Sequence, residues 1–79
     1  MMYLYKGIVT MNLFNPSKRV RNLYIKYGEN PFVLLSKFIY AAHRQKWSKE
    51  EIERVISAAK KGNYIALIRI LRSHTHIEE

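Results

Sequence analysis

The side chains able to do chemistry are few: three histidines, six glutamates, and neither aspartate nor cysteine. General acid–base work needs a carboxylate, a histidine or a tuned lysine held in a cleft beside a second such group. Glu50 precedes Arg54 by four residues, the spacing of an ordinary surface pair on a helix. Glu29 falls in a joint between predicted helices, and no two acids are placed to share a substrate. The expectation is therefore no catalytic residue and no enzyme. His74, His76 and Glu78 invite a metal reading. Helical ligand pairs need i, i+4 spacing, which the two histidines lack, and a loose tail supplies no groups to orient a ligand. His43 is read as a partly exposed side chain near the negative end of a helix dipole. Gly7, Gly28 and Gly62 stand alone, so there is no phosphate-cradling loop. No metal ligand, cofactor site or cofactor is expected. The lack of cysteine also excludes a disulfide framework, a thiolate zinc site and a cysteine nucleophile.

What remains is charge. Fourteen Lys and Arg against six Glu give a net charge of +8 on 79 residues. Such an excess attracts polyanions: nucleic acid, an acidic protein surface or anionic lipid. With 48% apolar and 25% charged residues the chain is a folded domain rather than a polar tail. A single domain this small needs dense helix packing or self-association for stability, and six Tyr, three Phe and one Trp could supply the burial.

The elements that must carry these charges are marked by clear punctuation. Residues 1–14 form an N-terminal arm or short strand or hairpin, with strand formers on both sides of Lys6-Gly7; a true start at Met11 is an alternative. Residues 15–73 form an all-α domain, a compact bundle of about four short helices. Asn15-Pro16 pairs an N-cap with proline at the first helical position, predicting a helix from Pro16 to Tyr27 that stops at Gly28. Val20, Leu23, Tyr24 and Tyr27 form its apolar stripe. Asn30-Pro31 repeats the signal and opens a second helix, ending near Gln45, whose wide apolar arc marks the most buried element. Ser48 and Glu51 form a capping box, with Trp47 and Ile52 as a hydrophobic staple, opening a third helix that ends at Gly62. Asn63 caps a fourth, from Tyr64 to about Ser73. The tail, 74–79, is expected to be flexible.

On a helical wheel Lys18, Arg19, Arg21, Asn22 and Lys26 lie opposite the stripe of the first helix, and Lys37 and Arg44 add to them from the second. Merged across the Gly28 joint, these seven residues would form the nucleic-acid-binding face of a small accessory protein. A sequence-reading helix-turn-helix is disfavoured, because the fourth helix is almost wholly apolar apart from Arg69 and Arg72. Ile25, Tyr40, Trp47, Ile65 and Ile70 are candidate partner anchors, Ile25, Ile65 and Ile70 lying outside the main stripes. They suit a homodimer or, as the alternative function, an inhibitor or adaptor docking on an acidic protein surface. No secretion signal or membrane span is evident, so neither a membrane partner nor a location outside the cytoplasm is expected.

Overall fold

Side chains that catch the free amides of the first turn open all three helices. In this computed structural model, which describes residues 12–77, the Asn30 Oδ1 accepts from Phe32 N (2.8 Å) and Val33 N (3.3 Å) at the start of α1, Pro31–Arg44. At the head of α2, Lys49–Lys60, the capping box is complete: Glu51 N donates to Ser48 Oγ (3.1 Å), and Ser48 N donates to Glu51 Oε1 (2.8 Å). Asn63 accepts from Ala66 N (2.9 Å) and opens α3, Tyr64–Ser73. Lys46 takes φ +71 after α1, with Trp47 N bonded to Ala42 O and Lys46 N to His43 O. This is a Schellman stop with lysine in the left-handed position that glycine usually fills. Gly62 has a different reason for its identity: a Cβ there would lie 2.8 Å from the Ala66 Cβ.

The helix expected over 16–27 does not form, so the described residues hold three helices rather than four. Asn15-Pro16 is a cis peptide, and Asn12 replaces the helix with its own wiring. Its Oδ1 accepts from Phe14 N (3.0 Å) and Lys18 N (3.1 Å), while its Nδ2 donates to Lys18 O (2.8 Å) and Ser73 O (2.9 Å). The chain then enters a two-residue strand, β1 (Val20–Arg21), turns at Asn22 (φ +62) and runs without regular structure to Asn30. The strand β1 pairs in parallel with β2 (Thr75–His76), Val20 opposite Thr75 and Arg21 opposite His76.

The stretch from His74 onward was expected to be flexible, and for residues 74–77 this is corrected. His74 is fully buried; its Nε2 accepts from Leu13 N (3.0 Å), which leaves Nδ1 as the donor to Ile70 O (2.8 Å). Burial, more than any other influence, holds the His74 pKa below its ordinary 6.5, and the charges of Arg19 and Arg54 act the same way. The expected arm over 1–14 lies outside the described residues up to Met11. Leu13 and Phe14 are partly buried against the core.

The core gathers Leu34, Leu35, Phe38 and Ala42 of α1, Ile52, Val55 and Ala59 of α2, and Leu67, Ile68, Ile70 and Leu71 of α3. Val20, Ile25 and Trp47 complete it. A file of edge-to-face rings runs through it, His74–Phe14–Trp47–Phe38, with centroids 5.6–5.7 Å apart. No buried side-chain nitrogen or oxygen among the described residues lacks a hydrogen-bond partner.

Candidate polyanion-binding face

Without the first predicted helix, its basic face is dispersed. Lys18 lies 2.8 Å from Glu51 and 5.1 Å from the Trp47 ring centroid; it is neutralised within the fold. The Lys18 ammonium and the Ser48 amide hold the Glu51 carboxyl below its ordinary 4.5. Lys37 pairs with Glu29 at 3.1 Å. Arg19 is tied to backbone carbonyls, its guanidinium donating to Arg72 O (3.1 Å) and Thr75 O (2.8 Å). The Asn22 amide extends the parallel ladder to His76 O, so Asn22 marks a turn rather than a face of a helix. Arg21, Lys26 and Arg44 remain exposed, with the Arg44 guanidinium 5.8 Å from the Tyr40 ring centroid. Of the seven predicted contacts, Lys18, Arg19 and Lys37 are thus engaged within the fold.

Three of the five predicted partner anchors are also corrected. Ile25 (1% exposed), Trp47 (5%) and Ile70 (8%) are core residues. Ile25 looked misplaced only on a helical wheel; in an irregular segment nothing prevents it from pointing inward beneath α3. Tyr40 (65%) and Ile65 (51%) are exposed.

A different cationic face takes shape where residues 22–30 run along α3. Two residues of α3 pin that segment. Arg72 donates from Nε to Ile25 O (3.0 Å), with its guanidinium 5.8 Å from the Tyr24 ring centroid. Tyr64 donates its hydroxyl to Glu29 O (2.6 Å) and accepts from Gly28 N (2.9 Å). Gly28 suits this turn through its left-handed backbone (φ +103), since a Cβ there would meet nothing within 4 Å. The Tyr27 and Tyr64 rings lie 5.5 Å apart. Held at both ends, the segment buries Ile25 and turns Tyr24 (62% exposed) and Tyr27 (60%) to solvent, with exposed Lys26 between them. Alongside, Ile65, Arg69 and Arg72 follow one another at i, i+4 and i+7 on the exposed stripe of α3.

Among the described residues the carboxylates other than Glu29 lie elsewhere. Neither α1 nor α3 contains an Asp or Glu, and Glu50, Glu51 and Glu53 all belong to α2. Glu29 is the one acid of the 22–30 segment, and Lys37 neutralises it. Sequence reasoning missed Tyr24, Tyr27, Arg69 and Arg72 as a group, having placed the tyrosines in a buried stripe. The usable signal was Ile25, an apolar residue that a helix over 16–27 could not bury.

Among the described residues no three His, Asp or Glu side chains stand together to hold a metal ion, and no helix is long and apolar enough to cross a membrane. Comparison with protein-family models, curated proteins and solved structures returned no match.

Proposed function

We propose that this chain is a small, non-enzymatic nucleic-acid-binding protein whose ligand is a single strand laid across the 22–29 segment and the exposed stripe of α3. One observation carries the reading: two exposed tyrosines flank a lysine and lie beside two arginines, on a face whose one carboxylate is already neutralised. A single strand offers what such a face lacks. Its phosphates take up the charge of Lys26, Arg69 and Arg72, and its unpaired bases stack on the tyrosine rings, whose flat faces accept any base. An acidic protein surface, the competing expectation, would satisfy the cations but lacks the regular alternation of phosphates with flat rings that a single strand offers to Lys26 and the two tyrosines.

The test is fluorescence anisotropy with a labelled oligothymidylate at several salt concentrations. Affinity falls steeply as salt rises, because bound phosphates release their counterions. Replacing both Tyr24 and Tyr27 by alanine weakens binding by about tenfold or more, as loss of base stacking demands. Lys26→Glu with Arg69→Glu weakens it further and flattens the salt dependence. Binding unchanged in the tyrosine double variant, or no binding at low salt, would overturn the reading.

A further inference from the structure

A groove of about 680 Å³ lies on another side of the molecule, between α1 and α2. Ile39 and His43 form one wall, and Ile52, Glu53, Ile56 and Lys60 the other. Its two edges share one spacing. On α1 the residues Phe32, Ser36, Ile39 and His43 follow at intervals of four, three and four, and all are exposed. On α2 Lys49, Glu53, Ile56 and Lys60 follow at the same intervals. That is the spacing of a seam between packed helices, and here it faces solvent. Ile39, at 42% exposed, is a large apolar side chain left uncovered along it, and Phe32, at 73%, lies beyond the groove's end in a second hollow that shares Lys60 with it.

We propose that the groove seats a second copy of this chain, the two meeting α2 against α2 in antiparallel fashion about a two-fold axis between Ile56 and Ser57. The charge pattern of α2 selects this occupant. Glu53 and Lys60 are exposed, belong to no ion pair among the described residues and lie at equal distances on either side of that axis. Antiparallel pairing sets Glu53 of each copy against Lys60 of the other, forming two symmetric ion pairs around a centre where Ile56 of each copy meets Ser57 of the other. A two-fold interface must be self-complementary in this way. The face also resolves the repulsion that two chains of charge +8 would otherwise feel. Three of the four described carboxylates belong to α2, where they balance Lys49, Arg54 and Lys60, while α1 and α3 carry cations and no acid, so this is where two copies approach with least repulsion. Two α1–α2 hairpins joined along their seams make a four-helix arrangement, a common way for short helices to gain burial that one copy lacks.

The decisive experiment is solution mass by light scattering or sedimentation, with charge exchange. The natural chain is expected at twice its 9.4 kDa mass. Glu53→Lys and Lys60→Glu each place like charges opposite one another and weaken self-association by tenfold or more, giving 9.4 kDa particles. Mixed in equal amounts, those two variants restore the doubled mass, because one copy then presents two lysines and the other two glutamates. The E53K/K60E double variant restores it alone. Both positions are exposed, so circular dichroism verifies that each variant remains folded. A natural chain that stays at 9.4 kDa up to about 1 mM overturns the proposal. So do single variants that remain dimeric, or a mixture that does not recover.

Discussion

The helical trio and the strap formed by residues 12–30 with 74–77 are held together by different means. In the trio each helix is opened by a cap a few residues away and closed over apolar faces, so local bonds and packing support one another. The strap has almost no ladder of its own. It rests on single polar contacts to distant partners: Asn12 and Leu13 reach residues 61 positions away, Arg19 reaches Thr75 across 56, and Tyr64 holds Glu29 across 35. Val20 and Ile25, with the partly buried Leu13, Phe14 and Leu23, give it apolar anchorage. A segment fixed at so few points is free to aim its remaining side chains outward, which is why the exposed tyrosines are here and not on a helix. The cost is that each contact stands nearly alone, with no neighbouring bond to share its loss.

Three measurements would sharpen or break this contrast. Asn12→Ala removes four hydrogen bonds at once and should cost about 2–3 kcal/mol in urea unfolding, with faster amide exchange at Phe14 and Lys18. A loss confined to those amides, with the unfolding midpoint unmoved, would show that strap and trio are separate cooperative units.

Acidification should produce a smaller effect, in two windows. The His74 pKa is lowered on folding, so the unfolded chain binds the extra proton first. Stability is complete above about pH 6.5 and declines as the pH falls from there toward the folded pKa. Glu51 is a carboxylate with a lowered pKa, so its contribution holds above about pH 4.5 and fades only below it. Unfolding midpoints followed from neutral to acid pH should therefore drop first through the strap, then through the cap of α2. A flat profile across the histidine window would refute the tautomer assigned from Leu13 and Ile70. The smallest change is a gain: Lys46→Gly relieves a left-handed lysine and should raise stability by about 0.5–1 kcal/mol, without altering the strap.

The trio was legible because its instructions are local. Ser48 and Glu51 announce one helix start within four residues, and Asn30 and Asn63 announce the others. Asn15-Pro16 carries the same two letters as Asn30-Pro31 and yet no helix follows. What decides between them is distant: Asn12 finds Ser73, and Val20 finds Thr75. Nothing within 16–27 states that Val20 belongs beside residue 75, whereas Tyr24 and Tyr27 match a buried helical stripe well enough to mislead. A helix over 16–27 would leave Lys18 and Arg19 free for a ligand, whereas the fold uses both to close itself. Helix punctuation gives no hint of the polar lock around His74, since its partners come from both ends of the described chain.

The parallel pairing of residues 20–21 with residues 75–76 also fixes an order of events during protein synthesis. A ribosome delivers Val20 long before Thr75, so the early strand must wait without a partner while all three helices emerge and begin to pack. Only when His74, Thr75 and His76 have cleared the exit tunnel can the first and last described segments meet. Until then β1 has no ladder to join. The tyrosine-bearing segment, by contrast, needs only Tyr64 and Arg72 of α3 to be pinned, so the proposed ligand face can take shape before the strands pair.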